Sequence, residues 1–204
     1  MQSLSQLLIA TSNDGKLREI QEILVGTVFA GMSCEILTLK ELGLPADFEE
    51  NGTTFRENAL GKALYYAKKS GFPTLAEDSG ILVDALSGEL GVMTRRWGRG
   101  EHATDEEWIE HFLHVMEKFP LSRRTARFVC CAALVQDGLE YTFEGSTDGV
   151  ITLSREAPIY PGLPLSSCFR PHGFEKVYCA LTVEEKNIIS HRGKAIRGVL
   201  QMVK

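Results

Sequence analysis

The apolar positions along this chain follow two rhythms. Residues 7–11, LLIAT, read as a buried strand, and 34–39, CEILTL, as a second strand. Between them, LREIQEIL repeats Leu17, Ile20, Ile23 and Leu24, the spacing of a helix with one buried face. The pattern predicts a strand, a turn at SNDG (12–15) and a helix over 17–24. Thr54 followed by Glu57 is a capping box at the head of FRENALGKALYYAKK. Thr104 with Glu107 opens DEEWIEHFLHVMEKF in the same way, and Thr182 with Glu185 starts a third helix. Ser190 stands where it can cap a last one, HRGKAIRGVLQMV. PTLAED reads as a strand entering a turn, with ILVDAL as a separate apolar run beyond it. TARFVCCAALVQ and LEYTFEG flank Asp137-Gly138, a dipeptide suited to a two-residue hairpin. Residues 157–175, rich in Pro, Gly and Ser, predict a long loop, and loops of that length in compact domains often carry function. Strands alternate with helices early and an antiparallel hairpin sits in the middle. The pattern is that of an α/β protein with a central mixed sheet flanked by helices.

Composition narrows the function class. At 204 residues, 44% hydrophobic and 24% charged, the chain suits one domain over 1–204, undivided or split into two lobes. A formal charge of −5 does not suit a protein that coats nucleic acid or an anionic membrane, so an anionic ligand has to be met by a local cationic pocket. The opening MQSLSQLLIATSNDG lacks the basic start of a secretion signal, and no apolar run reaches membrane-spanning length. The cysteines, Cys34, Cys130, Cys131, Cys168 and Cys179, are odd in number and form no CxxC pair. That usage points to a reducing, cytoplasmic compartment.

Four stretches carry candidate chemistry. TSNDGK (11–16) lies between a buried strand and a helix, where unpaired N–H groups and the helix dipole favour an anion and Lys16 adds a full charge. It is not a Walker A loop, and it reads also as a capped turn with a surface lysine. Asn58 and Lys62 are four apart, on one helix face; the same spacing fits a solvated face. In LAEDSGILVD (75–84), Glu77 and Asp78 are adjacent. Burying either is costly unless it is paired or bound to a metal, so a divalent cation is one account and a self-bonded Asp-Ser-Gly turn the other. Mg²⁺ takes one or two protein carboxylates with water and phosphate, and further acids lie at Glu49 and Glu50. In KNIISHRGKA (186–195), Lys186, His191, Arg192 and Lys194 gather basic groups; Arg192 can hold a phosphate or a base carbonyl through two parallel bonds, or the stretch is a basic surface turn. Together, three cationic groups and one acidic site fit a Mg²⁺–polyphosphate ligand.

TSNDGKLREI, ENALGKA, AEDSGILVDALSGELGV, EHATDEE, ARFVC and EEKNIISHRGKA occur in this order from about residue 7 to 196. In this the chain resembles the inosine triphosphate pyrophosphatase family, the (d)ITP/XTP pyrophosphatases. The resemblance implies an elongated α/β fold whose two lobes flank a substrate cleft, usually in a homodimer. It implies Mg²⁺-dependent cleavage of a nucleoside triphosphate between the α and β phosphates, which clears deaminated purine nucleotides. Residue by residue, it implies triphosphate binding by Thr11, Ser12, Asn13, Asp14, Gly15 and Lys16, with Lys62 as a second phosphate lysine. Glu50 and Asp78 are then metal ligands, Asp78 also the proton acceptor, with Glu77 in support. Ser79 is a substrate contact, and Lys186, His191 and Arg192 lie near the base. One segment departs from the family. Where the family usually carries Phe-Gly-Tyr-Asp, whose aromatic stacks on the base and whose Asp accepts from the purine, this chain has Leu163, Pro164, Leu165 and Ser166 within GLPLSSCF. Tyr160 or Phe169 would have to replace the stacking, so the departure bears on base choice. The related septum-associated pyrophosphatases, with the same chemistry on other bases, and a non-catalytic nucleotide-binding module are the competing expectations.

Overall fold

The computed structural model describes residues 6–25, 34–100 and 102–202; the first five residues, Glu101 of EHATDEE and Val203 of the last expected helix lie outside them. Among the described residues six strands form one mixed sheet: β1 (Gln6–Ile9), β2 (Glu35–Thr38), β3 (Thr74–Val83), β4 (Thr125–Gln136), β5 (Leu139–Ile151) and β6 (Phe169–Pro171), in the order β2-β1-β3-β4-β5-β6. β1 runs parallel to both β2 and β3, with Leu8 opposite Leu37 on one side and Thr74 on the other, while β5 and β6 are antiparallel. Five helices accompany the sheet: α1 (Asp14–Val25), α2 (Phe55–Ser70), α3 (Asp105–Met116), α4 (Val183–Ile189) and α5 (His191–Gln201). All three capping boxes form, at Thr54, Thr104 and Thr182. The hairpin forms as well, with Asp137 at φ 50° and Gly138 at φ 76°, the left-handed pair that a primed two-residue turn requires. None of the described helices is long and apolar enough to cross a membrane, and all five cysteines are free thiols.

Contacts divide the chain into two compact units, the first made of residues up to Ser79, Cys130–Gly145 and those from His191 onward, the second of Gly80–Val129 and Ser146–Ser190. In the first unit, strand alternation sorts the apolar side chains onto two faces. Leu7, Ile9, Leu75, Cys130, Ala132 and Leu134 meet Ile20, Ile23 and Leu24 of α1 and Ala195, Ile196 and Val199 of α5. Leu8, Ala10, Ala76, Cys131, Ala133 and Val135 meet Ala59, Ala63 and Tyr66 of α2. Strands covered on both faces are apolar at every position, which is why LLIA and VCCAALV show no alternation. The second unit is built around α3, whose Trp108, Ile109, Phe112 and Met116 pack on Ile81, Val83, Phe128, Phe169 and Tyr178. Arg124, only 2% exposed, closes this helix. Its guanidinium donates to the carbonyls of Met116 (2.7 Å), Phe119 (2.9 Å) and Thr152 (2.8 Å), supplying donors and positive charge at a helix C-terminus.

Three expectations need correction. The opening strand stops at Ile9, and α1 begins at Asp14 rather than 17, because Asn13 caps it: Asn13 Oδ1 accepts the N–H of Lys16 at 3.0 Å. SNDG is therefore a cap and a first helical turn. EDSG is not a turn either. Strand β3 runs through it without a break, from Thr74 to Val83, joining the two apolar runs that flank it; β1 pairs with its start, at Thr74 and Leu75, and β4 is its neighbour on the other side. Finally, residues 157–175 are not an open loop. Pro164–Ser167 form a buried 3₁₀ turn, β6 follows, and Leu165, Cys168 and Phe169 join the core around α3.

Candidate active site

The continuity of β3 explains how two acids can be neighbours. In a strand, adjacent side chains point to opposite faces. Glu77 shares the face of Leu75, toward α1 and α5; Asp78 shares the face of Ala76, toward α2. Both are buried, at 1% and 4% exposure, and each meets a different set of partners.

On the first face Lys16, in the first turn of α1, places its Nζ 2.8 Å from Glu77 Oε1. Arg192, in the first turn of α5, brings Nε to 3.6 Å from Glu77 Oε2. Its terminal nitrogens bond the Glu19 carboxylate and donate to Ser79 Oγ at 3.0 Å. The thiol of Cys130 on β4 donates to Glu77 Oε2 at 3.3 Å. Buried Glu19, Glu77 and Arg192 and half-buried Lys16 thus form a cluster of two cations and two carboxylates with no net charge, the arrangement under which buried ions are tolerated. Burial alone would push Glu77 up, but Lys16, Arg192 and Lys62 outweigh it and hold the carboxyl well below its usual range. Burial likewise opposes the Lys16 ammonium, yet Glu77 and Asp78 carry the net shift upward. His191, 5% exposed, is driven well below its ordinary value by burial and by the Arg192 charge, so it is neutral at physiological pH.

On the second face Asn58 of α2 donates to Asp78 Oδ2 at 2.9 Å, and the N–H of Ser79 donates to Oδ1 at 2.8 Å. Lys62, one turn further along α2, is ion-paired with Glu50. Burial dominates at Asp78; Lys16 and Asn58 oppose it, Glu50 and Glu77 add to it, and the carboxyl rises to about 6. A carboxyl at that value is suited to accept a proton near neutral pH.

The structure therefore gathers Lys16, Glu50, Lys62, Asp78, Ser79 and Arg192 in one unit, beside the α1 N-terminus that carries Thr11, Ser12, Asn13, Asp14 and Gly15. Ser12 and Asp14 are exposed and Gly15 is buried. His191 and Arg192, at the start of α5, are buried too, whereas Lys194 of the same run is exposed and Lys186 half-buried, so the run is not wholly a surface turn. Lys186 belongs to the second unit, where its Nζ stands 5.4 Å from the ring centre of Tyr160 and 5.9 Å from that of Tyr178. Phe169 is fully buried against Phe128, ring centres 4.3 Å apart, whereas Tyr160 is only half-buried. The Ser166 hydroxyl donates to the carbonyl of Leu163 at 2.6 Å. Sequence reading did not find Glu19 or Cys130. The one signal for Glu19 was an acid three residues after Lys16 beside Ile20, on a helix whose other face is apolar.

For a divalent cation the donor set is Glu50 and Asp78, both oxygen donors as a hard cation needs. The ionised form of Asp78 is opposed by burial and by the neighbouring Glu50 charge, and a bound cation removes both penalties. Among the described residues no group of three or more His, Cys, Asp or Glu side chains is gathered for a metal. Two carboxylates still fit Mg²⁺, which completes its shell with water and phosphate oxygens.

Comparison with known proteins gives a full-length match. The family model described as the Ham1 family matches residues 7–202. The chain is 40% identical to the dITP/XTP pyrophosphatase of Geobacter sulfurreducens, covering 95% of this chain and 94% of that one. It is 41% identical to the dITP/XTP pyrophosphatase of Thermus thermophilus, covering 98% and 92%. Its fold is similar to the solved structure of a HAM1 protein from Coxiella burnetii, with a TM-score of 0.79, 33% identity, and 97% and 98% of the two chains covered. Motif order, mixed α/β sheet and full-length similarity agree, and the chain belongs to the Ham1 family.

Proposed function

We propose that this protein is a dITP/XTP pyrophosphatase, which hydrolyses non-canonical purine nucleoside triphosphates (ITP, dITP and XTP) to the monophosphate and pyrophosphate with Mg²⁺. The full-length similarity to dITP/XTP pyrophosphatases supports the reaction class. The observation that carries the residue roles is the pair of adjacent acids driven apart, Glu77 well below its ordinary range and Asp78 up to about 6. Opposite displacement of neighbouring titratable groups marks a division into a fixed charge and a proton acceptor.

Thr11 to Lys16, the cap segment and first turn of α1, offer the positive helix end and the N–H groups of Asp14 and Gly15 to the triphosphate. Lys16, Lys62 and the helix end set positive charge where negative charge grows on the phosphates, and they are held in place beforehand. Glu77 and Arg192 lock Lys16 and Ser79 in position. Asp78 accepts the proton of the attacking water. Glu50 and Asp78 would hold the Mg²⁺, which supplies Lewis-acid neutralisation of the phosphates and a lowered pKa for bound water. Neutral His191 serves as a hydrogen-bonding group rather than as a charge, and for Lys186 a base contact is supported by the resemblance alone. We further propose a single functional domain over 1–204, acting as a homodimer.

A second reading concerns the base alone. With the Ser166 hydroxyl bonded to Leu163 and Phe169 in the core, neither group matches the family's charged or aromatic base readers, which favours a broader base preference. One panel separates the readings: the purified protein with Mg²⁺ and, in turn, ITP, XTP, dITP, GTP, ATP, CTP and TTP, with pyrophosphate measured against orthophosphate. Pyrophosphate chiefly from ITP, XTP and dITP is the expected result. Pyrophosphate from several bases would support the second reading. Orthophosphate, or no product from any of them, would overturn the proposal.

A further inference from the structure

Asn58 is 1% exposed, and a buried carboxamide needs a donor partner at one end and an acceptor at the other. Its Oδ1 accepts the N–H of Gly52 at 2.7 Å, and its Nδ2 donates to Asp78 Oδ2 at 2.9 Å. The backbone N–H of Gly52 can only donate, so it fixes which end of the amide is oxygen and turns the NH₂ toward Asp78. No carboxylate or hydrocarbon at position 58 satisfies both contacts. The segment before α2 is tied down at consecutive residues. Gly52 N–H bonds Asn58, while the N–H groups of Thr53 and Thr54 bond Glu57 Oε2 at 2.7 and 3.2 Å. Glu50, two residues upstream, is ion-paired with Lys62 on the same helix. The approach is so close that a Cβ on Gly52 would lie 2.6 Å from Asn58 Oδ1 and 2.8 Å from Glu57 Cβ.

We propose that Asn58 is a positioning residue for the two-acid site: one carboxamide ties the segment carrying Glu50 to Asp78, so the pair is assembled before any ligand arrives. The proposal rests on the Mg²⁺ reading above and adds the device that sets the separation of the two acids. Asn58→Ala removes both contacts. Gly52→Ala disturbs the same bridge from the other end and touches neither acid.

The experiment is calorimetric titration of nucleotide-free protein with Mg²⁺ alone, beside the Mg²⁺ dependence of hydrolysis. Both variants should bind Mg²⁺ more weakly by about 10- to 100-fold, the usual cost of losing a group that orients a metal ligand, and excess Mg²⁺ should restore their turnover. The double variant should be no weaker than the worse single one, because both cut one bridge. Gly52→Ala carries the test if Asn58→Ala does not fold. Mg²⁺ binding that needs Glu50 but is unchanged in the variants would overturn this proposal alone, as would a turnover loss that no Mg²⁺ concentration repairs. Wild-type protein indifferent to Mg²⁺, or Glu50→Gln with wild-type Mg²⁺ affinity, would bring down the metal reading and this proposal with it.

Discussion

The Asp78→Asn substitution should remove one pH-dependent part of the fold's stability while abolishing turnover, and the size of that part follows from the structure. The Asp78 carboxyl rises from its ordinary 3.8 to about 6, through burial first and then the charges of Glu50 and Glu77. Each pH unit of displacement is worth about 1.4 kcal/mol, so keeping this group ionised costs the fold about 3 kcal/mol at pH 7. The sign is that of a raised carboxyl. Between pH 3.8 and about 6 the folded state holds the proton more tightly than the unfolded chain, so wild-type stability falls as pH rises through that window. The substituted carboxamide has no proton to lose. It does present an NH₂ group where Ser79 N–H and Asn58 Nδ2 both donate, at a pH-independent cost of about 1–3 kcal/mol. The decisive quantity is therefore the change in the stability difference with pH. Urea unfolding in metal-free buffer, in steps from about pH 4 to about pH 7.5, should show the variant gaining on the wild type by about 2.5 kcal/mol. Mg²⁺ should then narrow the gap by stabilising the wild type alone. Parallel stability curves across this range would refute the assignment of the raised pKa to Asp78, and near-normal turnover in the variant would remove Asp78 from the reaction.

Two other substitutions test separate parts of the molecule. Lys16→Ala removes a cation in the first turn of α1, and a charge-assisted bond to phosphate is worth about 1.5–3 kcal/mol; KM for the triphosphate should rise about 10- to 150-fold, with far less effect on nucleoside binding, and equal losses for both would contradict the phosphate role. Arg124→Met leaves three buried carbonyls without their donor and should cost about 3 kcal/mol or more, lowering the melting midpoint by about 6–12 °C at this chain length; a midpoint within a degree of wild type would mean that water replaces the guanidinium at the end of α3.

The features legible in the sequence were those set by neighbours along the chain. Capping boxes join residues three apart, and the Asp137-Gly138 turn needs only two residues with positive φ, so local chemistry decides both. EDSG misled for the same reason: Asp, Ser and Gly are turn formers locally, and only the sheet position of β3 overrides them. Residues 157–175 have the composition of a loop, yet Leu165, Cys168 and Phe169 are buried because α3 offers them an apolar surface. The adjacency of Glu77 and Asp78 marked the site, but their division of labour did not show, because it depends on which helix covers which face. Glu19 was hidden further still. An acid on an amphipathic helix is ordinarily solvated, and its burial here depends on Arg192, 173 residues away.

That division of labour follows from strand geometry rather than from residue type. Had the EDSG backbone turned, Glu77 and Asp78 would have shared one environment, and two carboxylates in one place cannot both ionise cheaply. Within β3 the pleat separates them, and each then answers to a different helix. Glu77 faces Lys16 and Arg192, whose charges keep it ionised, and the pairing fixes the lysine proposed to meet the triphosphate. Asp78 faces α2, where Asn58 orients it and the nearby Glu50 charge raises its affinity for a proton or a cation. A single strand thus carries a permanent charge on one side and an adjustable one on the other. In the proposed mechanism, the first without the second would bind a polyphosphate and leave it intact; the second without the first would lack the fixed lysine that orients the substrate against it.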